Sequence, residues 1–361
     1  MKKYKFILSG GGTGGHVFPA LAISKKLKEA YPRSNILFVG SLGRMEMKKV
    51  PKEGFKIIGL PIDGISRSLK LKNILFPFKA AISFLIALII VIVYRPKIVV
   101  GTGGYASGPI LFAAQLLNYP TVIQEQNSFA GLTNKILGRL AKKILVAYPN
   151  MERFFKKEKI VITGNPIRKY LLNKNISKNE AKSFFNLDPK KSVISILGGS
   201  LGAFKINKLI ANNLDLFDKL GIQVLWQCGK IHYDEFKILE SKNIKLFSFI
   251  ERMDYWYKAS DAIISRSGAI TISEICLAQI PSILIPSPNV TENHQFHNAM
   301  ALYNNKAAIV LEEKNIENNF AKVLNDFWNN QRLRNKMKLN LKLMSKPNAS
   351  NEIIKIINTL I

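Results

Sequence analysis

The sequence predicts an α/β protein made of two doubly wound units. Short runs that are apolar on both faces alternate with helical patterns along the 361 residues, as in parallel sheets covered by helices. The runs form two series, and the turn signal Gly164-Asn165-Pro166 separates them. A glycine-rich turn follows the first strand of each series. We therefore predict an N-terminal domain over residues 1–164, a second domain over residues 165–345 and a helical tail over residues 346–361.

Each predicted strand is a short apolar run bounded by turn residues. The first series covers residues 5–9, 35–40, 97–101, 121–124, 143–147 and 160–162, and the second covers 192–197, 223–227, 245–247, 261–265, 282–286 and 308–311. A helix is predicted to start near Pro19, because proline suits a first helical turn, and another around residues 205–213.

Composition narrows the class of protein. Hydrophobic residues make up 47% and charged residues 21%, which excludes a disordered or collagen-like chain. Two cysteines, Cys228 and Cys276, are too few for a disulfide framework or a zinc ribbon. The N-terminal apolar run has only four residues, too short for a secretory segment, so we expect a cytoplasmic protein.

Positive charge is concentrated in the first part of the chain. The formal net charge is +29, and residues 1–165 alone carry +19. Such a basic half suits nucleic acid, an anionic membrane or a phosphorylated substrate. The alternative is a compositional bias towards lysine that only produces a solvated surface.

The most apolar segment is 80–94, which has fifteen residues without a charge. At 1.5 Å per residue it spans about 22 Å, short of the ~30 Å hydrocarbon core, so we do not expect a membrane span. We favour a buried crossover helix. Residues 69–79, which mix Lys70, Lys72 and Lys79 with apolar side chains, make a peripheral contact with an anionic membrane the alternative.

The first glycine turn, Gly10 to Gly15, precedes His16. Its spacing matches G-x-G-x-x-G, but the second strand ends without the carboxylate that a dinucleotide fold needs for the ribose. A nicotinamide cofactor is therefore disfavoured. The turn can still bring backbone N–H groups to a phosphate at a helix N-terminus, with His16 at its mouth.

The second glycine turn, residues 198–202, also matches the G-x-S-x-G pattern of a hydrolase nucleophile at Ser200. Glu274 and His294 could complete a triad, although no oxyanion element is evident. The alternative is a second phosphate-binding turn. Two glycine turns, one opening each half, favour two diphosphate sites over one hydrolase.

Three further polar clusters follow predicted strands. Gly103 and Gly104 lie in one, and Glu125 and Asn127 lie in another. The third, residues 266–274, would expose helix amides after Gly268 and place Glu274 two turns inside, where it could accept the hydroxyls of a ribose. An ordinary solvated helix position is the alternative for Glu274. His294 and His297 lack a third ligand, so we expect a polar loop there and no metal site.

Taken together, these clusters resemble one family. The segments GGTGGHVFPALA, GGYASGP, EQNSFAGLTNK, GNPIR, GGSLGA, RSGAITISE and HQFHNA occur in one order. In this combination the chain resembles the family 28 glycosyltransferases of peptidoglycan synthesis, which add N-acetylglucosamine to undecaprenyl-diphospho-N-acetylmuramoyl-pentapeptide (lipid I) to give lipid II. The resemblance implies a GT-B fold of two Rossmann-like domains facing a cleft, with a C-terminal helix that returns to the first. It also implies an inverting enzyme that uses UDP-N-acetylglucosamine and lies peripherally on the cytoplasmic face of the membrane. We expect no nucleic-acid partner.

Site residues carried over by motif fall in both domains. In the second domain the resemblance implies Ser200 at the diphosphate, helix-terminal amides from Gly268 onward, Glu274 at the ribose, Ile250 at the uracil with Arg168 nearby, and Gln295 at the sugar. The predicted substrate-binding segment that starts at Gly268 also includes Ala269, Ile270, Thr271, Ile272 and Ser273. In the first domain the implied donor contacts are Thr13, Gly14, Gly15 and Asn127, and the first glycine turn with Gly103 and Gly104 would face the acceptor diphosphate.

The chemistry of such a transfer needs a base for the acceptor hydroxyl. His16 is the first choice because histidine titrates near neutral pH, and Glu125 is the second, as base or as orienter. Amides and a hydroxyl aimed at the leaving UDP can take the place of a metal ion. We therefore expect no obligatory metal and no cofactor.

Overall fold

The computed structural model describes residues 3–64, 75–167, 171, 175–199 and 201–361. The chain forms two compact units. Unit 1 comprises Met1–Ile167 together with Asn348–Ile361, and unit 2 comprises Arg168–Pro347.

Unit 1 contains a sheet of seven parallel strands in the order β3-β2-β1-β4-β5-β6-β7. Its strands are β1 (Lys5–Ser9), β2 (Asn35–Ser41), β3 (Lys56–Leu60), β4 (Ile98–Gly101), β5 (Thr121–Glu125), β6 (Lys143–Val146) and β7 (Ile160–Ile162). Its helices before unit 2 are α1 (Gly14–Ala30), α2 (Glu46–Lys52), α3 (Phe76–Tyr94), α4 (Ser107–Leu116) and α5 (Leu132–Gly138). The strand order reverses between β1 and β4, and ligands bind at such switch points in open α/β sheets.

Unit 2 contains six parallel strands in the order β10-β9-β8-β11-β12-β13. They are β8 (Ser192–Leu197), β9 (Ile222–Gln227), β10 (Ile244–Phe247), β11 (Ala262–Ser265), β12 (Ser282–Leu284) and β13 (Ile309–Val310). The helices are α6 (Lys178–Phe184), α7 (Phe204–Ala211), α8 (Leu214–Lys219), α9 (Tyr233–Phe236), α10 (Met253–Ala259), α11 (Ala269–Ala278), α12 (His294–Asn304), α13 (Ile316–Asn329) and α14 (Gln331–Met344). Here the order reverses between β8 and β11, so the second switch point lies beside the second glycine turn.

The last helix, α15 (Ala349–Asn358), belongs to unit 1. It packs on α1, and Ile353, Ile354 and Ile357 enter the core that lies on this face of the unit 1 sheet. The Tyr31 hydroxyl donates to Asn358 Oδ1 at 2.7 Å. The opposite face of the same sheet is covered by α3, α4 and α5.

The first helix begins earlier than its sequence predicts. It starts at Gly14 instead of near Pro19, with Thr13 as its extended N-cap residue. Pro19 therefore lies inside α1, where its missing N–H costs one hydrogen bond of the helix. As a result Gly14, Gly15 and His16 form the first turn of α1.

The expectation that segment 80–94 is a buried crossover helix is wrong. Helix α3 has 19 residues, starting at Phe76, and only Ser83, Ala87, Ile90 and Val91 are buried. The helix does lead into β4 as a crossover, but most of its apolar surface is exposed. It packs on the rest of unit 1 through the narrow face that carries these four residues.

Candidate active site

At the switch point of unit 1, two glycine turns lie in contact. The N–H of Gly11, after β1, donates to the carbonyl of Gly103, after β4, at 3.3 Å. Gly104 has φ +87°, and a Cβ there would lie 2.3 Å from the Gly11 oxygen. Only glycine fits at Gly104, because a side chain would be strained and would push the turns apart.

The side chain of His16 lies where these turns meet. Its Nδ1 is 3.1 Å from the Gly11 carbonyl oxygen and 3.4 Å from Thr13 Oγ1. A carbonyl oxygen only accepts, so Nδ1 carries the proton and Nε2 is left as the basic nitrogen of the neutral ring. The ring lies over Gly103, where a Cβ would be 3.1 Å from Nε2.

Glu46, in the first turn of α2, is a site residue that the sequence analysis missed. It is fully buried, and its Oε2 accepts from the N–H of Gly12 at 3.0 Å, while Oε1 accepts from the N–H of Ser41 at 3.0 Å. The sequence signal was the only carboxylate close after β2, five residues beyond the strand's end. Strand β2 itself ends without a carboxylate, as the sequence indicates, and the nearby Glu46 carboxylate accepts hydrogen bonds from backbone N–H groups of the chain.

Glu125, at the end of β5, is buried and accepts several hydrogen bonds from its own loop. One oxygen accepts from the N–H of Asn127 at 3.0 Å and the other from Asn134 Nδ2 at 2.8 Å. The N–H of Gly131 and the Nδ2 group of Asn127 donate to it as well. These contacts tie Glu125 to the backbone and side chains of the β5–α5 loop.

The remaining predicted residues of unit 1 surround the same switch point. Thr13 and Gly15 are exposed, and Gly14 is half-buried, all at the N-terminus of α1. Asn134, which was not predicted, is buried, and its Nδ2 lies 3.6 Å from where a Gly103 Cβ would be. The structure therefore places Thr13, Gly14, Gly15 and Gly103 beside His16, while Asn127 contacts Glu125 in the β5–α5 loop.

In unit 2 the second glycine turn packs against the end of β9. Gly202 has φ +81°, and a Cβ there would lie 2.0 Å from the Cys228 carbonyl oxygen, so this position also requires glycine. Asn207 Nδ2 donates to the same oxygen at 2.8 Å, which ties α7 to the turn. Ser200 lies outside the described residues, as does Arg168.

Helix α11 begins at the unit 2 switch point, as its motif predicts. Gly268 is its N-cap residue, with extended backbone, so the amides of the first turn point out of the helix start. Buried Ser267 donates to the Gln295 carbonyl at 2.8 Å, and Gln295 Oε1 accepts from the N–H of Ser287 at 2.9 Å. Gln295 is thereby held next to the start of α11.

Further along α11 the predicted residues differ in exposure. Ala269 and Ile272 are buried, Ile270 and Thr271 are half-buried, and the Ser273 hydroxyl donates to the Ala269 carbonyl at 2.9 Å. Any contribution of Ile272 to a ligand is therefore through its backbone.

Glu274 is buried rather than solvated, so the alternative of an ordinary surface position is wrong. Its Oε2 accepts from the Tyr257 hydroxyl at 2.9 Å. Tyr257 lies on α10, which follows Ile250 and the loop after β10. A bidentate pair from Arg252 to Asp254, at 2.9 and 2.7 Å, fixes the start of α10 and holds the pKa of the Asp254 carboxyl below its usual range.

The expectation of a polar loop at His294 and His297 is wrong, because both residues lie in the first turn or so of helix α12. His294 Nδ1 donates to the Thr291 carbonyl at 2.8 Å. Within the described ranges, no group of three His, Cys, Asp or Glu side chains lies close enough to hold a metal ion.

An apolar surface covers one face of unit 1, and we call it the α3–α5 face. On α3 the exposed side chains follow helical spacing at Phe78, Ile82, Leu85, Ile89 and Val93, the last of them 72% exposed. The face continues through Phe112 and Leu116 on α4 and Leu132, Ile136 and Leu140 on and after α5. Basic side chains of residues 135–157 border it, including those that line a groove of about 740 Å³ beside α5.

Comparison with known proteins places this geometry in one family. The glycosyltransferase family 28 N-terminal domain matches residues 6–146, and the glycosyltransferase family 28 C-terminal domain matches residues 193–353. The chain belongs to glycosyltransferase family 28, which confirms the family resemblance predicted from the motifs.

Individual relatives are similar along nearly their whole length. A protein of Flavobacterium psychrophilum is 47% identical over 98% of this chain and 97% of its own, and one of Cytophaga hutchinsonii is 45% identical over 99% and 98%. Both are named UDP-N-acetylglucosamine–N-acetylmuramyl-(pentapeptide) pyrophosphoryl-undecaprenol N-acetylglucosamine transferase. The crystal structure of Acinetobacter baumannii MurG is 27% identical, with a TM-score of 0.79 over 99% of this chain and 100% of that one. The predicted class of two Rossmann-like domains is thus confirmed.

Proposed function

We propose that this protein transfers N-acetylglucosamine from UDP-N-acetylglucosamine to the C4 hydroxyl of the muramoyl sugar in lipid I, with inversion, to give lipid II. The observation that carries the proposal is identity of 45–47% over nearly the whole chain to relatives that share one name. The site geometry supports it, because both switch points present a glycine turn and a helix N-terminus of the kind that binds phosphates.

In this proposal unit 1 binds the acceptor and removes the proton from its hydroxyl group. The acceptor hydroxyl gives its proton to Nε2 of His16 as its oxygen forms a bond to the anomeric carbon, and the bond from that carbon to the UDP oxygen breaks. The Nδ1–H contact with Gly11 holds the ring in the tautomer that this step needs. The proposal assigns Gly103 and Gly104 to the acceptor diphosphate, and it assigns Thr13, Gly14, Gly15 and Asn127 to contacts with the donor.

Glu125 then acts as the orienter and not as the base. Its two oxygens already accept from the β5–α5 loop, including the Asn127 side chain that the proposal assigns to the donor. A carboxylate with its lone pairs occupied loses hydrogen bonds when it takes a proton. This arrangement favours His16 over Glu125 as the base.

Unit 2 would hold the donor. The amides at the start of α11, from Gly268 to Ile270, face the sugar and phosphates, and Ser200 meets the diphosphate. Glu274 holds the ribose, Ile250 the uracil with Arg168 nearby, and Gln295 the sugar hydroxyls. The helix N-terminus stabilises the negative charge that develops on the leaving UDP. The proposal therefore needs no obligatory metal and no cofactor.

The α3–α5 face supports a peripheral position on the cytoplasmic side of the membrane, where a lipid-linked acceptor lies. Helix α3 is long and apolar enough to cross a membrane by length and composition alone. It nevertheless connects two parallel strands of one sheet and packs against α4, so lipid could reach only one side of it. A lateral contact, with the basic border towards anionic headgroups, fits these facts. We propose no nucleic-acid partner.

The experiment that tests the function is transfer of radiolabelled N-acetylglucosamine from UDP to a short-chain lipid I analogue. We expect a labelled disaccharide lipid whose formation depends on both substrates. Absence of product with the pure protein, or transfer to acceptors that lack the muramoyl sugar, would overturn the proposal.

A further inference from the structure

We propose that Glu46 acts on His16 through the peptide group between Gly11 and Gly12, and so sets the tautomer and basicity of the imidazole. The inference rests on the proposed role of His16 as the base. It makes Glu46 a positioning residue, because it does not touch the reacting atoms.

The two contacts that carry the inference fall on one peptide group. The carbonyl oxygen of Gly11 accepts from His16 Nδ1 at 3.1 Å. The N–H attached to that same carbonyl is the N–H of Gly12, and it donates to the Glu46 carboxylate at 3.0 Å. Carboxylate, peptide and imidazole therefore form one continuous chain of hydrogen bonds.

Such a chain strengthens each of its members. A negative charge accepting from the N–H pulls electron density through the planar peptide towards its oxygen, which becomes a better acceptor. The Gly11 oxygen then holds the Nδ1 proton more firmly and favours the positive charge that forms when Nε2 takes a proton. Glu46 thus does from a distance what a carboxylate does in direct contact with a catalytic histidine.

The surroundings of Glu46 argue that its charge, and not only its shape, matters. It is fully buried, and in the described part of the chain it takes part in no ion pair. Burying a charged carboxylate is costly unless hydrogen bonds compensate, and a neutral side chain could tie the same backbone groups together at lower cost. The fold also makes room for it: a Cβ on Gly11 would lie 2.2 Å from Oε1, and one on Gly40 would lie 2.6 Å from Cγ.

Other charged groups near the imidazole are few among the described residues. From β5, Glu125 reaches this region through Asn134, which lies beside Gly103 as the His16 ring does. From the loop after β4, Thr102 is neutral and donates to the His16 carbonyl at 2.8 Å. Among the hydrogen bonds of the described residues, Glu46 is thus linked to Nδ1 through a single peptide group.

The test is Glu46→Gln, which removes the charge with little change of shape. Gly12 N lies 3.2 Å from Oε1 and 3.0 Å from Oε2, so a single amide oxygen can keep the backbone contacts. We expect kcat for the transfer to fall about tenfold, with the KM for UDP-N-acetylglucosamine unchanged within about twofold. In the plot of kcat against pH, the acidic limb should move to lower pH by about half a unit or more. The reason is that the protonated imidazole is no longer stabilised by the Glu46 charge.

Asp261→Asn is the matched control. Asp261 also holds a backbone N–H, that of Val193 at 2.9 Å, but it lies in unit 2 before β11. It should leave kcat and the pH profile unchanged. If Glu46 has a purely structural role, Glu46→Gln should lower the amount of folded enzyme and leave the acidic limb of the kcat–pH profile in place. That result would overturn the inference.

A second measurement uses the unaltered protein. In protein labelled with 15N-histidine, the His16 signals are assigned by their loss in His16→Ala, and the neutral ring should show the proton on Nδ1. In Glu46→Gln the fraction of this tautomer should fall. A proton on Nε2 in the unaltered protein, or identical His16 signals in both proteins, overturns the inference even if transfer is intact. Conversely, failure of transfer with the expected His16 signals would overturn the proposed function alone.

Discussion

At the scale of single residues, replacing His16 should affect the rate of transfer much more than the affinity for UDP. We expect His16→Ala to lower kcat by about 10²- to 10⁴-fold, the usual contribution of a general base, and to leave UDP affinity nearly unchanged. Steady-state transfer rates together with calorimetric UDP titration check this. If turnover stays within a few-fold of the unaltered enzyme, another group must be the base.

Glu274 offers a complementary prediction about the donor. Glu274→Ala should weaken UDP-N-acetylglucosamine binding by about 1.5–3 kcal/mol, because a charge-assisted contact with the ribose is lost. Tyr257→Phe is the matched control, since it removes the hydroxyl that donates to Glu274 at 2.9 Å and keeps the carboxylate. Calorimetry should show a smaller loss for Tyr257→Phe, and unchanged affinity in Glu274→Ala would remove this residue from the site.

Sequence motifs predicted His16 and Glu274 as candidate site residues but did not point to Glu46. His16 follows a glycine turn directly, so its place at the switch point can be predicted from spacing. Glu46 reaches the same turn from α2, 34 residues further along the chain. Such a contact depends on how β1 and β2 pair, and a single sequence does not specify where a side chain points after the strand ends. Its burial with Gly11 and Gly40 became evident only in three dimensions.

At the scale of elements, we expect helix α3 to be needed for binding to anionic membranes. The double variant Leu85→Gln, Ile89→Gln should reduce flotation with anionic liposomes, because it removes exposed apolar area that would insert between headgroups. UDP binding should be unchanged, since neither side chain is buried. Binding of the unaltered protein should also weaken with salt, as the Debye length shrinks from ~10 Å at 0.1 M to ~3 Å at 1 M.

The matched control for α3 is Ile231→Gln, Ile238→Gln. These two isoleucines are 75% and 84% exposed, but they belong to unit 2 and are not part of the α3–α5 face. They should leave flotation unchanged. Equal losses in both double variants, or equal binding to neutral and anionic liposomes, would contradict a specific, charge-assisted contact. Replacing Lys70, Lys72 and Lys79 with Gln should also weaken flotation, because basic side chains near an anionic surface are lost; Lys70 and Lys72 lie outside the described residues.

Most strands could be predicted from the sequence, and the exceptions have physical reasons. Buried strands such as β1 and β8 read as continuous apolar runs because helices cover both faces. Strand β3 lies at the sheet edge, alternates exposed with less exposed residues and starts with a lysine, so its short run was missed. For α3, apolarity shows that a helix avoids water but not whether protein or lipid covers it.

At the scale of the whole molecule, the C-terminal helix carries a prediction about stability. Ile353→Ala should lower the free energy of unfolding of unit 1 by about 2–5 kcal/mol, because it leaves a cavity between α15 and α1. The measurement is urea unfolding of the full-length protein, with limited proteolysis used to detect when unit 1 unfolds. Leu343→Ala, at an 81% exposed position on α14, is the control and should stay within about 0.5 kcal/mol. Equal effects of the two variants would mean that α15 contributes little to the core of unit 1.

The charge of the whole chain was harder to interpret than its fold. A net charge of +29 is compatible with several classes of partner, and the residue types alone do not separate a solvated surface from a docking surface. In the structure, basic side chains of residues 135–157 lie beside the exposed apolar side chains of α5, and among the possible partners this favours an anionic membrane. Proximity of the two kinds of side chain, rather than their number, supports the membrane proposal.

Because α15 completes unit 1, the order of synthesis matters for folding. A ribosome adds about 5–20 residues per second, so the roughly 180 residues of unit 2 occupy it for about 10–40 s after the last strand of unit 1 has been made. During that interval the nascent first unit exposes the apolar groove that will receive Ile353, Ile354 and Ile357. Transiently exposed apolar surface of this kind is what makes nascent chains prone to aggregation and dependent on chaperones.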